Sequence, residues 1–170
     1  MIITESYKVL NKQLHDADPD YGISGHHWRD YVREYSEFGR LSILDFGCGK
    51  CTLAQSLGPA YRVTNFDPCI PGLDSTPGPH DVVVCGDVME HVEPSLVMNV
   101  LREIRRLTKR KAFFVIGLIP AQKFLADGRN AHLSMHDQAT WGKFLEEAGF
   151  TVEQQSSPKN EIAHCWLLCT

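Results

Sequence analysis

Apolar positions along the chain follow two periods in alternation. Val9, Leu10 and Leu14 recur at helical spacing within Glu5–His15, and a second helix is expected over His27–Phe38, stopped by Gly39. Leu41–Asp45 runs apolar into Gly47 and Gly49, the pattern of a buried strand entering a tight turn, with a helix expected from Thr52 to Leu57. Tyr61–Phe66 is rich in β-branched and aromatic residues and stops at Asp67-Pro68, which makes it a second strand. Asp81–Cys85 is almost uninterruptedly apolar, as a central parallel strand buried on both faces should be. Leu96, Val97, Val100, Leu101, Ile104 and Leu107 share one helix face that opens at Glu93-Pro94-Ser95. Ala112–Leu118 is then a buried strand and Asp137–Ala148 a helix stopped by Gly149. Thr151–Gln155 and Ile162–Cys169 give two final strands, and the turn-like Ser156–Asn160 between them is short enough for a hairpin.

This order predicts an α/β fold, a doubly wound and mostly parallel sheet closed by a C-terminal antiparallel hairpin. One stretch breaks the alternation: Pro68–Pro79 carries four prolines and two glycines without a helical period, so the third-strand region is expected to be shortened. At 170 residues the chain is one domain, with N-terminal helices and a lid loop over 1–40 and the sheet core over 41–170. The formal charge of −4 gives no whole-molecule attraction to phosphate backbones. No apolar stretch approaches the ~20 residues of a membrane span, and no export signal is visible at the N-terminus. Six cysteines in a chain long enough to build a core are expected to be reduced thiols, which points to a cytoplasmic protein.

The chemistry concentrates at Leu44-Asp-Phe-Gly-Cys-Gly-Lys50, at Asp67 on the end of the next strand, and at His80-Asp-Val-Val-Val-Cys-Gly-Asp-Val-Met-Glu-His91. Together these resemble the class I S-adenosylmethionine-dependent methyltransferases, with a Rossmann-like sheet. The resemblance implies S-adenosyl-L-methionine as cofactor, with Asp45 on its amino group and the Gly47-Cys48-Gly49 turn admitting its methionine portion. It further implies Asp67 on the ribose hydroxyls, Gly86 and Asp87 flanking the methionine portion, and Asp74 and Ser75 near the adenine. Cys51 stands where many members have a third glycine. A dinucleotide-binding sheet uses similar glycines and a similar acid, but it also needs a glycine or alanine shortly after, and Thr52 and its neighbours do not match.

Tyr21-Gly-Ile-Ser-Gly25, followed by His26-His27-Trp28, suits a flexible lid, and Asp127-Gly-Arg-Asn-Ala-His132 should emerge at the carboxyl edge of the sheet. Both segments resemble a compact subgroup of these methyltransferases in bacteria and their viruses, which makes Tyr21, Ser24, His27, Arg129 and Asn130 substrate or lid residues. Among eight histidines, His91, His132 and His136 fall near the expected cleft, and His91 and His132 are the candidate general bases. Cys48 and Cys51 have the local spacing of a zinc knuckle without its second half, so no metal is expected. The reading is methyl transfer to an oxygen or nitrogen nucleophile of a small molecule. The alternatives are a non-catalytic cofactor-binding module and a nucleic-acid methyltransferase docking through the basic Arg102–Lys111.

Overall fold

The computed structural model describes residues 1–156 and 164–170. Helix α1 covers Glu5–Ala17, a 3-10 turn covers Ser24–Trp28, and α2 covers Arg29–Tyr35. The core then runs β1 (Ile43–Phe46), α3 (Thr52–Leu57), β2 (Val63–Phe66), β3 (His80–Gly86), α4 (Val97–Leu107), β4 (Thr108–Gly117), α5 (Gln138–Glu147), β5 (Val152–Ser156) and β6 (His164–Cys169). The sheet order is β2-β1-β3-β4-β6-β5. Its first four strands are parallel, and β6 pairs antiparallel with both β4 and β5, the closing hairpin expected from the sequence. Most of the expected turn Ser156–Asn160, together with Ile162, lies outside the described residues.

Alternation along the buried strands assigns side chains to two cores. Leu44, Val83, Cys85, Ala112, Phe114 and Ile116 pack with α4 and α5, while Ile43, Val82, Val84, Phe113 and Val115 pack with Trp28, Val32, Leu53 and Leu57 on the opposite face. α4 buries Val97, Val100, Leu101, Ile104 and Leu107, as its periodicity predicts. Among the described residues, no helix is long and apolar enough to cross a membrane.

Boundaries differ from the sequence reading at the second helix and at β4. The helix expected over His27–Phe38 is a 3-10 turn followed by the short α2, which ends when Glu37 and Phe38 adopt φ of 51° and 55° and Phe38 N–H reaches back to Arg33 O. β4 begins at Thr108 rather than Ala112, so Lys109–Lys111 belong to a strand and not to the preceding helix end. Thr108 makes this switch: its Oγ1 donates to Ile104 O at 2.8 Å while its backbone is already extended. The connection 67–79 holds no helix or strand, and β2 remains the sheet edge. After β2 the chain passes β1 to form β3 on its other side, which puts the point where strand order reverses beside the carboxyl end of β1.

Candidate active site

A cavity of about 550 Å³ opens at that reversal, lined by the ends of β1, β2 and β3, by α1 and the Tyr21–Gly25 loop, and by Ile119–Lys123. The turn after β1 forms its floor. Gly47 and Cys48 N–H both donate to Phe66 O, and Gly49 N–H donates to Asp67 Oδ2 at 3.1 Å. A Cβ at Gly47 would stand 2.4 Å from Val88, and one at Gly49 would stand 2.4 Å from Gly22 O. Both glycines also have positive φ, so close approach and backbone conformation demand the same residue. Cys51 adopts φ 59° at the start of α3, the left-handed conformation in which glycine costs least.

Two buried carboxylates face this cavity with different occupations. Asp67 is engaged at both oxygens, Oδ2 by Gly49 N–H and Oδ1 by Cys69 N–H at 2.9 Å. Each oxygen keeps a further lone pair for a hydroxyl donor. Asp45 is 5% exposed and its Oδ2 has no hydrogen-bond partner. Burial, then the negative charge of Asp67, pushes its carboxyl up to about 7. Such a group is suited to a cationic ligand, which would restore its ionised form.

Hydrogen bonds tie the roof to the turn below it. Lys50 N–H donates to Gly22 O at 2.8 Å, Thr52 Oγ1 donates to Ile23 O at 2.7 Å, and Lys50 Nζ reaches Asp18 O and Pro19 O. Tyr21 accepts from Asn11 Nδ2, and Asn11 also donates to Tyr7 OH. Tyr7, Asn11 and His15 bring α1 into the lining, a contribution that the sequence reading missed because their polar atoms interrupt the apolar helix pattern. Lys123 pairs with Asp18 at 2.6 Å and joins the two sides of the roof.

Across the cavity lie Glu90, His91 and His132. Glu90 is 1% exposed; its Oε1 accepts from Gly117 N–H at 2.8 Å and its Oε2 is unpartnered. Burial and the Asp87 charge push its carboxyl up to about 8. His91 Nδ1 donates to Ala131 O at 2.8 Å, and burial together with His132 pushes its imidazole down to about 3, so the ring is neutral near pH 7. The two rings meet edge to face, with centroids 4.8 Å apart.

The cavity thus gathers Asp45, Gly47, Cys48, Gly49, Asp67, Gly86, Asp87, Tyr21, Ser24, His91 and His132. It does not gather Asp74, Ser75, His27, Arg129 or Asn130. Asp74 pairs with Lys8 at 3.3 Å on an exposed turn. His27 is exposed and its ring lies tilted against that of His26, with centroids 3.9 Å apart. Arg129 pairs with Asp127 at the tip of the 123–131 hairpin. Asn130 works from behind the lining: its Oδ1 accepts from Ala121 N–H and His132 N–H, and its Nδ2 donates to Ala121 O. His136 packs on Trp141 and Phe144, away from the cavity. The Cys48 and Cys51 sulfurs are 3.8 Å apart, and burial raises both thiols, so both hold their protons.

The pattern described as "Methyltransferase domain" matches residues 21–155. The chain belongs to that family. Methyl transfer is therefore the activity in whose terms this methyltransferase site is to be read. No curated protein matches the sequence. Among solved structures, the chain is similar to a DhpI-SAH complex at 18% identity and a TM-score of 0.66, covering 97% of this chain and 93% of that one. It is also similar to the Burkholderia thailandensis 1,6-didemethyltoxoflavin-N1-methyltransferase, solved with its substrate and S-adenosylhomocysteine, at 16% identity and a TM-score of 0.63, covering 99% and 90%. A third is the magnesium protoporphyrin IX methyltransferase of Synechocystis PCC 6803 with S-adenosylhomocysteine, at 18% identity and a TM-score of 0.62, covering 95% and 83%. At these identities the likeness is one of fold.

Proposed function

We propose that this methyltransferase holds S-adenosylmethionine over the Gly47–Gly49 turn and transfers its methyl group to an oxygen or nitrogen nucleophile of a small molecule. The observation that carries the reading is the pair of cavity-facing carboxylates, Asp45 with an oxygen that lacks a partner and Asp67 with lone pairs to spare on a rigidly held group. Asp45 meets the amino group of the donor, and Asp67 accepts from its ribose hydroxyls. The glycines let the methionine portion lie against backbone, with Gly86 and Asp87 on its other side. When bound, the donor supplies a methyl already activated by a sulfonium, so the protein's task is alignment and exclusion of water.

The acceptor lies toward His91 and His132, under the Ile119–Lys123 loop. His91 stays neutral over the working pH range and is a poor proton acceptor, so it orients, while His132 takes the proton that a hydroxyl or ammonium acceptor must lose. A cavity of about 550 Å³ suits a small acceptor. The test is formation of S-adenosylhomocysteine from S-adenosylmethionine across pooled small hydroxyl, amine and carboxylate acceptors. Turnover with at least one pool is expected. Tight donor binding with no turnover in any pool, nucleic acids and proteins included, would instead support a non-catalytic module.

A further inference from the structure

We propose that Glu90, His91 and His132 form a binding site for one divalent transition-metal ion on the wall of the cavity. One ligand atom from each of these residues lies within 4.8 Å of the others. Three features make this a built site. Glu90 is 1% exposed, and its Oε1 is fixed by Gly117 N–H while its Oε2 has no partner. Leaving a carboxylate oxygen buried and unpaired is costly, and a cation removes that cost. Both imidazoles are held through Nδ1 by backbone carbonyls, His91 by Ala131 and His132 by Ile119. A carbonyl can only accept, so each Nδ1 carries the hydrogen and each Nε2 keeps its lone pair; metal-binding histidines are oriented in this way by their outer hydrogen bonds.

Gly117 completes the arrangement, because a Cβ there would stand 2.7 Å from Glu90 Oε1 and 2.9 Å from His132 Cε1. Even alanine would push the carboxylate and the second ring apart. Bonds of about 2.0–2.2 Å require ligand atoms roughly 3–3.5 Å apart, so side-chain rotations closing gaps by about an ångström complete the triad. Two imidazoles and one carboxylate select zinc, manganese, iron or cobalt over magnesium and calcium. All three ligands line the cavity, so the remaining coordination positions face it and are open to an oxygen of the acceptor or to water. An ion there would occupy His132 Nε2, so His132 would no longer serve as base; the ion would instead acidify a bound acceptor hydroxyl, whose proton leaves to water, and its binding does not depend on the identity of the acceptor.

The experiment is a cobalt(II) and zinc(II) titration of the full chain without a histidine tag, read by calorimetry and by the visible spectrum of cobalt. One ion per chain with micromolar or tighter affinity is expected, with no thiolate charge-transfer band. Glu90→Gln and His132→Gln should each weaken binding by about a hundredfold, whereas Cys51→Ser should leave it unchanged. S-adenosylhomocysteine affinity reports whether each variant is folded. If either variant fails to fold, cobalt-induced broadening of ring signals in the wild-type protein decides: two histidines affected supports the site. Absence of a stoichiometric ion, a thiolate band, or binding that survives both substitutions would overturn it.

Discussion

Side chains proposed to meet the donor also hold the site together. Asp67 shows it best, since the hydrogen bonds to Gly49 and Cys69 hold the floor of the cavity in place. Asp67→Ala is therefore expected to cost about 1–3 kcal/mol of stability and to weaken S-adenosylhomocysteine by about a hundredfold or more. Thermal melts with and without the ligand read both effects, and retained affinity in a folded variant would remove Asp67 from the site. Asp45 makes a pH prediction. Its folded carboxyl sits near 7 against an ordinary 3.8, so the contribution of this group to stability is complete below about pH 4 and is lost as pH rises through about 7. The ligand-free protein should lose stability across that window and Asp45→Asn should lose less of it. Donor affinity should rise over the same window in the wild type and stay flat in the variant. Cys51→Gly should fold, bind donor normally and change stability by no more than about 1 kcal/mol, because relief of the left-handed strain is offset by the entropy of glycine. A loss larger than about 2 kcal/mol would show that the Cys51 side chain packs in a way its conformation does not reveal.

At the scale of elements, the buried strands were legible in the sequence because burial on both faces writes nearly continuous apolar runs at Ile43–Phe46, Val82–Cys85 and Ala112–Ile116. The short Pro68–Pro79 connection was legible for the opposite reason, since proline excludes a helix there. What stayed hidden depends on contacts between distant segments. Tyr7, Asn11 and His15 carry no signal in the sequence; they reach the cavity only because α1 packs against it, with Thr4 tied to Glu93. The Asp127–His132 segment was placed at the correct sheet edge, but the side chains nearest the cavity are Ala131 and His132, with Arg129 at a hairpin tip and Asn130 behind. Asn130→Ala should therefore loosen the Ile119–Lys123 loop and raise the acceptor KM by about tenfold, while donor affinity changes by less than about twofold. Equal losses in both would mean that the loop also holds the donor.

For the whole molecule, a parallel sheet gathers the carboxyl ends of β1, β2, β3 and β4 at one edge and their amino ends at the other. The cavity occupies the first edge. Lys109–Lys111 lie at the start of β4, roughly 20–26 Å of strand from its cavity end, and Arg102, Arg106 and Arg110 pair with Glu147, Glu103 and Glu37. Reversing Arg105 and Arg106 should leave small-acceptor turnover unchanged, and a loss that tracks salt-dependent binding to DNA or RNA would move the substrate to that surface. The central claim is that the two carboxylates and the glycine turn form a donor site. It is tested most directly by calorimetric titration of S-adenosylhomocysteine into the wild-type protein beside Asp67→Ala. The account predicts one site per chain with micromolar affinity in the wild type and binding weakened by about a hundredfold or more in the folded variant; no heat in the wild type at any workable temperature, or equal affinity in both, would contradict it.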